Sequence, residues 1–224
     1  MTAVISDSVP WREDLIRISR RLRTRDVQRR WTERTYYLVE RDIMFGAYSI
    51  RRLIESRKTS TRLPQRRLRV RQWPLTGRVP RPLDRFFVTD FYDKEKQTVA
   101  EVDVARLCNQ VIHSFFFQLA LEDDGTTSLA VTSDRGRVSS VMVISLEQLA
   151  ELFDYVGRED VLDWNANYSS GAELEERISN HDLVESGRAR YADADCDLIE
   201  LTDGSVPEVV QHHPRVFPAP PWGR

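Results

Sequence analysis

Cysteine and lysine are scarce in this chain. The two cysteines, Cys108 and Cys196, form no CxxC pair. That leaves neither a disulfide framework nor a thiolate metal motif, and it points to reduced thiols and a cytoplasmic protein. Long hydrophobic runs are missing as well. The most apolar stretch, Phe115 to Leu121, is interrupted by Gln118 and is too short to span a bilayer, so no membrane partner is expected. The first apolar positions are broken by Asp7, Pro10 and Arg12, and no hydrophobic region of a secretory signal follows them. There is no Gly-rich phosphate loop and no G-x-S-x-G elbow. No cofactor is expected, and no repeat at solenoid spacing is found.

What is present is a globular composition. The chain has 224 residues, 41% hydrophobic and 30% charged, enough to bury a real core in one domain with an appendage. Residues 1–158 read as a single α+β domain, and residues 159–224 as an acidic, partly irregular appendage and tail. The net charge of −2 hides a split: residues 1–85 carry 22 Arg+Lys against 9 Asp+Glu, and residues 86–224 carry 11 against 26. The first part is therefore +13 and the second −15. A basic first part points to a polyanion such as RNA or DNA. Mutual neutralisation of the two parts, within a molecule or across a dimer, fits the same numbers. Only Lys58, Lys94 and Lys96 are lysines, a bias that base composition of the coding DNA would also produce.

The hydrophobic period places the elements. Residues 11–30 read as an amphipathic helix with Leu15, Ile18 and Leu22 inward and Arg17, Arg20, Arg21 and Arg25 on the other faces. Glu13 with Arg17 and Asp26 with Arg30 stand at i,i+4. A longer helix, about 32–58, carries the stripe Val39, Ile43, Ala47, Ile50 and Ile54, with Gly46 set for a close helix–helix approach. Arg17, Arg20, Arg21, Arg51 and Arg52 on these two helices are the candidate nucleic-acid contacts. Prolines 64, 74, 80 and 82 break the next stretch. Within it Arg67–Arg71 reads either as an edge strand or as a solvated loop, and Phe86–Phe91 as a buried strand. A helix over 103–113 follows, capped by Asp103 in preference to the Thr98/Glu101 capping box. Strands at 115–122, 128–133 and 138–144 are separated by Asp123-Asp124-Gly125 and Asp134-Arg135-Gly136, which predicts a three-stranded antiparallel meander. A covering helix at 146–157 turns Leu149, Leu152, Phe153 and Val156 inward, with Gly157 as its C-cap. Leu174–Ile178 reads as helical, and the last twenty residues as a poorly packed tail.

The chemistry concentrates on the helix at 103–113. At 100° per residue Val104, Leu107, Cys108 and Val111 share one face, and Arg106, Asn109, Gln110 and His113 share the other. RNA cleavage without a metal needs a group that moves a proton and a cation that holds the phosphate. Histidine titrates near neutrality and suits the first task; arginine grips phosphate in a bidentate fork and suits the second. His113 is thus the candidate general acid/base, Arg106 the phosphate ligand and Asn109 the orienting residue. An ordinary solvated helix face accommodates the same four residues.

Arg106-Leu-Cys-Asn-Gln-Val-Ile-His113 resembles the R-x4-6-H motif of the HEPN superfamily, and the long helix before it resembles HEPN helices in texture. The likeness covers about residues 12–121. It implies a helical bundle that often dimerises, bringing two motifs into one cleft, in a family where many members cut RNA without metal and others only bind or scaffold. Leu107 departs from the polar residue that usually follows the Arg in the nucleases. The expectation is an RNA-associated HEPN-like protein acting as a metal-independent endoribonuclease, with RNA and a second copy of the chain as partners. The alternative is a non-catalytic interaction or self-associating domain; a DNA-binding regulator has no helix-turn-helix spacing to support it.

Metal chemistry finds no place. Asp193-x-Asp-x-Asp197 fails as a calcium loop because Leu198 and Gly204 stand where Gly and Glu are needed. His181, His212 and His213 have no ligand partners at helical spacing. Cys108 and His113 fall on different faces, which argues against a thiol nucleophile. Phe115, Phe116 and Phe117 read as core and one sheet face.

Overall fold

The computed structural model describes residues 7–28, 30–84, 88–122, 124–167, 174–191, 198–200 and 208–209. It divides into two compact units, residues 1–158 and 159–224. Unit 1 is mixed α+β. It contains helices α1 (Val9–Asp26), α2 (Glu33–Glu55), α3 (Val104–Ile112) and α4 (Leu146–Gly157). Its strands are β1 (Arg67–Pro74), β2 (Thr98–Asp103), β3 (Ser114–Leu121), β4 (Thr127–Ser133) and β5 (Ser140–Ser145).

The five strands form one antiparallel sheet in the order β2-β1-β5-β4-β3. The sheet is larger than the three strands expected, because β1 inserts between β2 and β5. Arg67–Arg71 is strand and not loop: Arg67–Val70 pair with β2 alone, and from Arg71 onward the strand is paired on both sides, Arg71 facing Val99 and Val143. Alternation along the strands builds two cores. Val70, Val102, Leu129, Val131, Met142 and Ile144 pack under the helices, while Trp73, Ala130, Val141 and Val143 face the opposite side. That second face is covered by the segment after β1. There Val88, Phe91 and Tyr92 sit on Phe116 and Trp73, and the Tyr92 hydroxyl donates to the Arg137 carbonyl at 2.8 Å. Burial pushes the Tyr92 phenol up to about 12. The expected strand at Phe86–Phe91 is not formed in its described part; Val88–Asp90 is a single 3-10 turn that aims apolar side chains down onto the sheet.

α2, α3 and α4 are capped by side chains at their starts. Asp103 accepts from the Arg106 N–H at 2.7 Å, Thr32 caps α2, and Ser145 with Gln148 forms a capping box on α4. Asp26 does not reach Arg30, since α1 has ended; it accepts from the Thr127 N–H at 2.7 Å and pins the helix end to β4. Leu15, Ile18 and Leu22 of α1 are buried, as are Val39, Ile43, Ala47 and Ile50 of α2 and Leu149, Leu152, Phe153 and Val156 of α4.

Two glycines set the helix spacing. A Cβ at Gly46 would lie 2.5 Å from the Phe153 ring, so α2 crosses α4 with only hydrogen between backbone and aromatic. Gly157 does not act as the C-cap, which is Arg158. A Cβ there would meet Ile16 Cγ1 at 2.6 Å and the Arg12 carbonyl at 3.0 Å, which lets α1 lie against α4.

Unit 2 holds a two-stranded ribbon, β6 (Val161–Asn167) with β7 (Leu174–Ser179), then α5 (Asn180–Glu185), and a three-stranded set of β8 (Ala189–Tyr191), β9 (Leu198–Glu200) and β10 (Glu208–Val209). Leu174–Ile178, expected as helix, is strand, because six residues of L-E-E-R-I-S alternate as well as they coil. The Asp193–Asp197 segment, His212, His213 and most of the expected tail lie outside the described residues.

Gly46→Ala should destabilise the protein. Phe153 is buried at 1% exposure, so overpacking of about 1–3 kcal/mol outweighs the roughly 1 kcal/mol of helix propensity gained. A urea titration should show a lower midpoint; an unchanged or higher one would mean that the ring moves aside freely.

Candidate functional site at the α2–α3 junction

The apolar side of α3 is buried through Val104, Leu107, Cys108 and Val111, packed between α2 and the sheet. Burying that side turns the polar side outward: Arg106, Asn109 and His113 are exposed and Gln110 is half-buried. Seven residues separate Arg106 from His113, about 10 Å of helix rise. His113 is not among the residues that line the pocket at Arg106. No hydrogen bond or ion pair joins their side chains among the described residues.

The cation beside the imidazole comes from α2. Arg51 Nη1 donates to Asn109 Oδ1 at 2.7 Å and lies 3.3 Å from His113 Nε2. Its Nε donates to Glu55 Oε1 at 2.8 Å, and Arg52 Nη1 reaches Glu55 Oε2 at 3.1 Å. One guanidinium thus joins a carboxylate, an amide and an imidazole across two helices. The Arg51 hydrogen bond holds the Glu55 carboxyl below its ordinary range, so the Arg51–Glu55 contact survives to lower pH than a free glutamate would allow. Arginine has donors only. A hydrogen bond from it to Nε2 is one that the tautomer carrying its proton on Nδ1 accepts. The sequence singled out Asn109, His113, Arg51 and Arg52, but assigned the two arginines to a general basic surface. Nothing local could pair residues 58 and 62 positions apart.

Arg106 faces a separate feature. With Gln72, Gln110, Thr132 and Gly136 it lines an open pocket of about 40 Å³ between α3 and the end of the sheet. Gln110 Oε1 accepts from the Ser133 N–H at 2.6 Å and steadies one wall. The Arg106 side chain has no partner among the described contacts.

The arginines of α1 divide. Arg21 grips Asp42 of α2 through Nε at 2.7 Å and Nη2 at 3.0 Å, and the Asp42 side chain is only 7% exposed. This is a clamp between helices, and its guanidinium is already committed. Arg17 is paired on the surface with Glu13 and Asp14, and Arg20 is exposed with no partner to its guanidinium among the described contacts. Cys108 is buried, and burial pushes its thiol up to about 12, so it offers no thiolate near neutral pH. Among the described residues, no group of three His, Cys, Asp or Glu side chains is arranged to hold a metal ion. Nor is any helix long and apolar enough to cross a membrane.

Arg21→Ala should cost about 1–3 kcal/mol, because it removes two charged hydrogen bonds from a buried carboxylate and leaves it only Arg41, at 3.0 Å. Arg17→Ala should stay within about 0.5 kcal/mol, as exposed pairs do. Equal losses for the two in denaturant titrations would contradict the clamp.

No protein-family model, curated protein or solved structure matches this chain, so its functional reading rests on the geometry of this junction.

Proposed function

We propose that the chain is an RNA-associated, HEPN-like protein of the cytoplasm that cleaves RNA without a metal at the α2–α3 junction. The observation that carries this reading is the guanidinium of Arg51 lying 3.3 Å from His113 Nε2 and 2.7 Å from Asn109 Oδ1. A permanent cation, an amide and a titratable base meet there at an exposed position.

Arg51 has a better partner than a neutral imidazole once a phosphodiester arrives. A charged, bidentate contact to phosphate oxygens is stronger than one to a ring nitrogen. Transfer of Arg51 to the phosphate frees the Nε2 lone pair. His113 then takes the proton of the 2′-hydroxyl, the 2′-oxygen attacks phosphorus, and the bond to the 5′-oxygen breaks. The leaving oxygen takes a proton from solvent. The products are a 2′,3′-cyclic phosphate and a 5′-hydroxyl. Arg51 neutralises charge that develops on the phosphate, Asn109 orients the guanidinium, and Arg106, one pocket further along α3, holds a neighbouring phosphate. Arg20 and Arg52 add to the basic surface. A second copy of the chain, bringing a second junction alongside, is the partner the HEPN resemblance implies.

A second reading has its own support. Arg51 is engaged through Nε and Nη1 by Glu55, Asn109 and His113, as a static staple between helices would be. In that case the domain is a non-catalytic interaction module.

Turnover on RNA in EDTA separates the two. The cleavage reading predicts 2′,3′-cyclic phosphate ends and a loss of about 100-fold or more in His113→Ala, with the urea midpoint nearly unchanged. Absence of turnover in the unaltered protein, or a loss below about tenfold in that variant, would falsify it.

A further inference from the structure

α2 turns an alternating ladder of cations and aromatic rings outward. Arg34, Tyr37, Arg41, Phe45, Tyr48 and Arg52 follow one another at spacings of three or four residues, one stripe of the helix; Arg41 Nη2 also reaches Asp42 Oδ1 at 3.0 Å and Arg52 reaches Glu55, so a phosphate would compete with a carboxylate at both. The stripe lies opposite the buried Val39, Ile43, Ala47 and Ile50. Its rings are open: Tyr37 is 61% exposed, Phe45 41% and Tyr48 45%. Large aromatic side chains normally dominate cores, so three on one exposed stripe need a reason. Phe45 and Tyr48 are also propped in place. Trp11 of α1 stacks against Phe45 with centroids 6.2 Å apart and planes 8° from parallel, and it lies 6.3 Å from Tyr48.

We infer that this face of α2 is a binding track for single-stranded RNA, with bases stacked on Tyr37, Phe45 and Tyr48 and phosphates held by the intervening arginines. The inference deepens the cleavage reading and rests on it for the identity of the polymer. Stacking on aromatic faces between cations is how single strands are held without regard to sequence. A duplex hides the base faces this ladder would use. From Arg34 to Arg52 the stripe runs about 27 Å at 1.5 Å per residue, and its far end is the turn that carries Arg51. A strand lying along it therefore leads into the Arg51–Asn109–His113 junction.

Charge chooses between this occupant and a second copy of the chain. The outward side of α2 carries Arg34, Arg41, Arg51 and Arg52 against Glu33, Glu40 and Glu55, a small excess of cations. Arg41 interrupts the aromatic stripe between Tyr37 and Phe45, so no continuous apolar seam exists for helix-on-helix packing.

The test is fluorescence anisotropy with a short labelled oligouridine carrying 2′-O-methyl groups, which block attack by the 2′-oxygen, alone and annealed to its complement. The expected result is binding of the single strand in preference to the duplex, weakened steeply by salt. Tyr37→Ala and Tyr48→Ala should each weaken it about fivefold or more. Tyr36→Ala should leave the affinity unchanged: Tyr36 is 47% exposed but leans on Trp31 with centroids 5.0 Å apart, about 100° around the helix from Tyr37. Equal affinity for single strand and duplex overturns the inference, as does unaltered affinity in both tyrosine variants. Tyrosine variants that lower the mass in sedimentation while leaving RNA affinity intact overturn it too, and assign the face to contact between copies. The oligomer cannot be cut, so the two readings fail separately. An inactive protein with tyrosine-dependent binding keeps the track and loses cleavage. An active protein whose tyrosine variants bind normally keeps cleavage and loses the track.

Discussion

The close crossing of α2 over α3 is the constraint from which the rest follows. α3 can bury Leu107, Cys108 and Val111 only if α2 lies against it, and that proximity is what lets Arg51 reach Asn109 and His113. The position of α2 depends in turn on Gly46, where no side chain separates the backbone from Phe153 of α4, and on the Arg21–Asp42 clamp to α1. A core decision, the omission of one methyl group, thereby fixes the distance between a cation and a base on the surface.

The charge asymmetry along the sequence resolves into two populations of arginine. Some neutralise acidic partners inside the first unit: Arg21 with Asp42, Arg23 with Glu147 of α4, Arg71 with Glu122, Arg78 with Asp84. These hold elements together, and the Arg71–Glu122 pair also sits beside the Ser128 hydroxyl. Others, such as Arg20, Arg34 and Arg106, are exposed with no recorded side-chain partner among the described contacts. The formal +13 of residues 1–85 therefore overstates the field available to a polyanion. Internal neutralisation and attraction of a polyanion are compatible, because they belong to different side chains.

Much of the first unit was legible from periodicity. α1, α2, α3 and α4 each show an apolar stripe long enough to outweigh local ambiguity, and Asp103 announces the start of α3 by its side chain. What escaped was tertiary. β1 alternates arginine with apolar residues and looks like an edge, as its first four residues are on one side, yet Arg71, paired on both sides, finds Glu122 and Ser128, so one charged residue is tolerated inside the sheet. Phe86–Phe91 has strand-like composition, but in its described part Val88 and Phe91 cover the outer sheet face. Gly157 stands where a C-cap glycine belongs, and is instead required by the backbone of α1. The candidate site was half visible in the same way. The polar face of α3 could be drawn on a helical wheel, whereas its cation lies on another helix, 62 positions from His113. Exposure of Tyr37, Phe45 and Tyr48 was equally hidden, since their spacing alone suits a core stripe.

Ring nitrogen chemical shifts of His113 test the central claim most directly. In the free protein the account requires an unprotonated Nε2 facing Arg51, with the proton on Nδ1. On addition of uncleavable single-stranded RNA it requires the Nε2 resonance to move as the guanidinium passes to a phosphate. A ring protonated on Nε2 in the free protein, or one whose nitrogens ignore saturating RNA, would contradict it.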